Sequence, residues 1–144
     1  MSTSGRPSPS RARESGRAYH HGDLRAALVR AGVALLAEGG DAALSLREVA
    51  RRAGVSHNAP YRHFADKDAL LAAIAEQGFL ELARVTQDAS ARVPDDPIGQ
   101  IVETGWAYVK CGVDHPQHYG VMFTGIVGER ERHTAMRAAE DRAY

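Results

Sequence analysis

From Leu24 onward, apolar residues recur at helical spacing. Leu24, Leu28, Ala31 and Leu35 share one face and predict a helix starting near Asp23. Gly39-Gly40 predicts its end, because glycine accepts the left-handed conformation that follows a helix. Ser45-Leu46-Arg47-Glu48 reads as a capping box: the serine hydroxyl accepts from the Glu48 N–H while the glutamate reaches back to Ser45. Leu46, Val49, Ala50 and Ala53 then give a short helix one apolar face, and Gly54 closes it. Ser56 is the expected cap of a third helix over about 57–64. Pro60 would be its fourth residue and remove only the first intrahelical hydrogen bond, so the first turn is expected to be distorted.

Asp66 caps a fourth, long helix that is expected to run to about 91, with Leu70, Leu71, Ile74, Ala75, Phe79, Leu82 and Val85 as a wide buried stripe. Pro94-Asp95-Asp96-Pro97 breaks the chain. Ile98, Ile101, Val102, Gly105, Trp106, Val109 and Val113 trace another helical face, which Asp114-His115-Pro116 ends. The apolar run 119–127 is expected to form a further buried helix, weakened by Gly120 and Gly125, and the stretch from Glu129 is polar. No strand pattern competes, so the expected class is all-α. Residues 1–19, rich in serine, glycine and arginine with few large apolar side chains, are expected to be a disordered basic tail. Its Arg11, Arg13 and Arg17 are candidates to reach phosphates or a minor groove.

The chain is 44% hydrophobic and 25% charged, the range of a globular protein. No apolar run is long enough for a membrane span, and a single cysteine, Cys111, makes no internal disulfide, which reads as a cytoplasmic setting. The formal net charge of zero conceals an asymmetry. Residues 1–70 hold eleven Lys and Arg against seven Asp and Glu, and residues 71–144 reverse those numbers. A basic front half suits a polyanion. The histidines do not suit a metal: His20-His21 lie beside the tail, Pro116 separates His115 from His118, and no second cysteine exists. No cofactor is expected.

The turn Ala53-Gly54-Val55-Ser56 between two short helices matches a helix-turn-helix, with glycine making the turn and Val55 plugging the angle. Asn58 has the chemistry to pair with adenine and Ala59 to touch a thymine methyl; Ser56 and His57 would stand with them at base edges, and Arg47 would reach a guanine or a phosphate. Tyr61 and His63 can donate to phosphate oxygens. Lys67 would add an ammonium to the positive end of the fourth helix, and Ser45 a contact at the start of the second.

The surrounding text, LSLREVARRAGVSHNAPYRHFADKDALLAAI over 44–74, resembles the TetR family of transcriptional repressors in order and spacing. Trp106, His115-Pro116 and Gly120 resemble, more loosely, a regulator subgroup whose C-terminal domain carries Trp, His-Pro and Gly. The resemblance implies a three-helix DNA-binding domain over 20–70 and a helical effector-binding domain over 71–144. It places Tyr61, His63 and Lys67 at backbone-contact positions, and it implies double-stranded operator DNA, a small-molecule effector and a homodimer as partners. Trp106, Val109, Met122 and Phe123 are the candidates for the effector pocket. Family members have two further long helices that form the dimer, so the second domain is expected to be incomplete. Ala59-Pro60 departs from the family's usual pair before the tyrosine. Two other readings stay open. One is an enzyme built on Cys111 with His115 or His118, which lacks an orienting third group. The other is a helical protein-interaction module that never meets DNA.

Overall fold

A computed structural model describes residues 15–144, with side chains described from Asp23 onward. The candidate tail contacts Arg11 and Arg13 lie outside the described residues, as does the side chain of Arg17. Six α-helices follow in order: α1 (Ser15–Ala43), α2 (Leu46–Ala53), α3 (Lys67–Ala91), α4 (Pro97–Asp114), α5 (Pro116–Phe123) and α6 (Thr134–Ala143). A 3₁₀ turn, Ala59–Arg62, stands between α2 and α3, and a second, Arg130–Arg132, precedes α6. The described residues contain no strand.

Helix α1 starts eight residues before the expected Asp23. Its regular part ends as expected: Gly40 takes φ 64° and ψ −158°, which kinks the chain into one last turn ending at Ala43. Helix α3 is the central element, touching α1, α4, α5 and α6. Its buried Leu70, Leu71, Ile74, Phe79 and Leu82 form one cluster with Leu28, Val29 and Leu35 of α1 and Val49 of α2, and with Val121, Met122 and Met136 from beyond α4. The division expected at 70/71 therefore falls inside one continuous helix.

Two expectations for the second half change. Helix α4 forms where expected, with Asp96 accepting from the Gly99 N–H at 3.0 Å and Pro97 in its first turn. It buries none of its residues, and Ile98, Ile101, Trp106 and Val113 are all more than 60% exposed. Helix α6 lies in the stretch read as polar and packs on α3, with Met136 and Ala139 as its buried residues. Two apolar anchors in ten residues give too thin a pattern to announce a helix.

The segment between α5 and α6 is tied to the start of α3 at one side chain. Asp68 Oδ1 accepts from the Gly128 N–H at 2.6 Å. Its Oδ2 lies 2.9 Å from His133 Nε2 and 3.8 Å from an Arg132 guanidinium nitrogen.

Candidate nucleic-acid interface

Helix α2 is set by its two ends. Ser45 Oγ accepts from the Glu48 N–H at 3.1 Å. The return half of the capping box does not form, because the Glu48 carboxylate turns instead to Arg51, whose Nε lies 2.9 and 3.0 Å from its two oxygens. A charge-assisted contact within the helix outcompetes a neutral N–H. At the other end Gly54 adopts φ 70°, ψ 31°, and the Val55 N–H donates to the Ala50 carbonyl at 3.0 Å. This is the left-handed stop that turns the chain back across α2, and Val55 packs against the core in the angle.

The expected third α-helix over 57–64 is a 3₁₀ turn of four residues. Pro60 is the reason. Lacking an N–H, it cannot donate to Ser56, and the Ser56 carbonyl instead accepts from the Ala59 N–H at 3.0 Å. The cap position is Asn58 rather than Ser56, and its side chain makes no capping hydrogen bond. An α-type bond returns only at the end, from the Phe64 N–H to the Pro60 carbonyl at 2.9 Å.

Burial sorts these side chains sharply. Ala59 and Pro60 turn inward with Phe64, while His57, Asn58, Tyr61 and Arg62 face out. Ala59 was expected at the base edges and is 8% exposed, so no thymine methyl can reach it. Tyr61 is 60% exposed, and Ser45, Arg47 and Ser56 are also at the surface.

His63 leaves the outward row. Its ring is half-buried and its Nε2 is covered without a hydrogen-bond partner, in a cleft shared with Arg25, Glu76 and His133. Lys67 is already engaged: its Nζ lies 2.9 Å from the Asp41 carboxylate and donates to the Asp41 carbonyl at 2.8 Å. Arg51 and Arg52 pair with Glu48 and Glu38. Among the described residues, Arg47 and Arg62 have no carboxylate partner. Arg62 was missed in the sequence; it is exposed beside Tyr61. Arg47, His57, Asn58, Tyr61 and Arg62 are thus exposed donors on and around the turn, and their two arginines have no carboxylate partner among the described residues.

Residues 28–74 match the sequence profile of bacterial regulatory proteins of the tetR family. This segment is thus similar to the helix-turn-helix of that family. The HTH-type transcriptional repressor Rv3405c of Mycobacterium tuberculosis is 38% identical over 63 residues, which cover 44% of this chain and 34% of that protein. An HTH-type regulator of Mycobacterium bovis matches to the same extent, so the chain spans about a third of the curated relatives it matches. A protein of unknown function from Rhodococcus sp. RHA1 shares 34% identity at a TM-score of 0.73, covering 87% of this chain and 64% of that one. A TetR family transcription regulator from Marinobacter aquaeolei VT8 shares the fold at a TM-score of 0.69 and 21% identity, over 88% of this chain and 65% of that one.

The four residues expected in an effector pocket separate. Beyond the helix-turn-helix a cavity of about 230 Å³ opens between α3, α4 and α5, and of those four only Met122 lines it. Trp106, 66% exposed, lines a neighbouring, more polar cleft between α3 and α4 with Arg84, Val85 and Lys110, and Val109, 56% exposed, lines a shallow groove with Tyr108 and Tyr119. Phe123 packs edge-on against Phe79, with ring centroids 5.8 Å apart, outside the cavity.

Proposed function

We propose that this chain is a DNA-binding transcriptional regulator, most simply a ligand-responsive repressor acting as a pair of copies on operator DNA. The observation that carries the reading is the exposure of Arg47, His57, Asn58, Tyr61 and Arg62 on a helix-turn-helix whose sequence matches a family of regulators. In this reading His57 and Asn58 meet base edges, while Arg47, Tyr61 and Arg62 hold phosphates and fix the register. Lys67 joins them by exchanging Asp41 for a phosphate. Two copies would set their reading turns one helical repeat, about 34 Å, apart. A ligand held beyond α3 would favour a spacing that no longer fits, and it must therefore prefer the non-binding state.

The test is affinity for a duplex that the protein selects from a random pool, measured at several salt concentrations. Joint replacement of Tyr61 and Arg62 by alanine should weaken binding to all duplexes about tenfold and flatten the salt slope by about one. Replacing His57 and Asn58 should instead reduce discrimination between duplexes. The exposed apolar residues of α4 favour a second reading, a protein-interaction module. That reading predicts that replacing Arg47, His57 and Asn58 together leaves DNA affinity unchanged.

A further inference from the structure

The cavity between α3, α4 and α5 is defined by what its walls lack. Gly78 of α3 and Gly112 of α4 contribute backbone where other residues would contribute side chains, and Met122 and Tyr119 of α5 close over them. A methyl on Gly112 would come within 3.1 Å of the Tyr119 ring, and one on Gly78 would collide with the Met122 sulfur, so the glycines set how closely α5 approaches. Leu82 completes an apolar wall.

No lysine or arginine lines the space, and Glu81 is the one carboxylate that does. Both Glu81 oxygens are taken by Arg84, one by Nε at 2.9 Å and the other by a terminal nitrogen at 2.7 Å, and this pairing holds the carboxyl below its ordinary range. Burial pushes the Cys111 thiol up, so it stays protonated at neutral pH. Burial and the neighbouring His115 push His118 down, so it stays neutral. Among the described residues no three His, Cys, Asp or Glu side chains are placed to hold a metal ion. Of the remaining polar residues that line it, His115, Tyr119, His118 and Gln77, the last two form a pair, with His118 Nε2 and Gln77 Oε1 3.5 Å apart. That separation is beyond a good hydrogen bond, so both groups are free to turn to a third.

We propose that this cavity binds a small uncharged aromatic molecule bearing one hydroxyl or amide group, with its ring against Tyr119, Leu82 and Met122 and its polar group on Gln77 and His118. A carboxylate would enter a wall with no lysine or arginine to receive it and an ionised Glu81 nearby, and an ammonium would find Glu81 already paired; either ion would lose hydration with little compensation. The volume of about 230 Å³ lies just below the roughly 300–1,000 Å³ of drug-sized sites, which limits the ligand to one or two fused rings. The site stands on its own geometry; only its effect on DNA rests on the ligand-responsive reading above.

Three probes of one shape and different charge test the proposal: 2-naphthol, 2-naphthoate and 2-naphthylmethylamine, titrated calorimetrically into the full chain at neutral pH. The naphthol should bind at least about tenfold more tightly than either ion. Cys111, the only cysteine in the chain, reports occupancy of the native cavity, since only an accessible thiolate reacts. Saturating naphthol should slow its reaction with an aromatic disulfide about fivefold or more. Cys111→Phe, checked for folding by far-UV circular dichroism, should abolish naphthol binding by filling the space. Equal or tighter binding of either ion overturns the ligand class. Naphthol binding that leaves Cys111 reactivity unchanged overturns the location, and failure of all three probes to bind at millimolar concentration overturns the site. Naphthol that binds and protects Cys111 but leaves affinity for the selected duplex unchanged upholds the site and sinks the ligand-responsive reading instead.

Discussion

Helices α2 and α4 begin alike and end up differently. Each is amphipathic and is capped by a short polar side chain, Ser45 and Asp96, that accepts from an N–H three residues on. Yet α2 buries three of its eight residues, Leu46, Val49 and Ala50, while α4 buries none of its eighteen. The difference lies in the neighbours. Helix α1 and the 3₁₀ turn close over α2 from nearby in the chain. Helix α4 touches α3 and α5 on one side only, and its Ile98, Ile101, Val102, Val109 and Val113 meet no cover among the described residues. An apolar stripe predicts a helix, but burial of that stripe depends on a second surface that the helix's own residues do not encode.

The largest effect that can sharpen this contrast is at Phe79, which is fully buried in α3 where the two halves meet. Phe79→Ala should cost about 3–5 kcal/mol in denaturant unfolding. Trp106→Ala, removing a larger but 66% exposed side chain from α4, should change stability by no more than about 0.5 kcal/mol; a loss comparable to that at Phe79 would mean that Trp106 is covered in solution. Next is Asp68, which alone ties α3 to Gly128 and His133. Asp68→Asn should cost about 1–2 kcal/mol and speed amide exchange at 128–133 while leaving α2 protected. Ser45→Ala should remove about 1 kcal/mol by taking away one cap, read as faster exchange in α2 with α4 unchanged.

The smallest effect is a pH dependence confined to the second half. His118 is held below its ordinary value of 6.5 by burial and His115. The unfolded chain therefore binds more protons there than the folded one just below that pH. Stability from this group is complete above about pH 6.5 and falls as the pH drops through that value toward the folded one. His118→Gln should flatten this part of the curve, measured as thermal midpoint against pH; an unchanged slope would assign the proton uptake elsewhere.

The sequence revealed most where the signal is local. The caps at Ser45 and Asp66, the left-handed stop at Gly54 and the stripe of α3 each depend on residues within a few positions of one another, and all were readable. The 3₁₀ turn was half readable: Pro60 announced a disturbance, but the choice between a distorted α-turn and a tighter helix depends on whether Ala59 and Pro60 find a core to enter. In the folded chain Ala59 is buried and Arg62 exposed. The ties from Asp68 to Gly128 and His133 span 60 and 65 residues and carry no periodicity. The cavity escaped for the same reason. Its walls come from three helices, and its formers include two glycines, which no search for aromatic lining residues would select.

The brevity of the turn at Pro60 limits how much address the molecule can hold. Under the proposed reading, with Ala59 and Pro60 buried, few side chains remain to meet base edges, enough to distinguish about two or three base pairs at about 1–3 kcal/mol each. A genome offers on the order of 10⁶ or more competing positions, far more than so short a code can reject. Under the proposed reading, recognition has to be shared between copies on neighbouring half-sites, and a single copy would wander along DNA without settling.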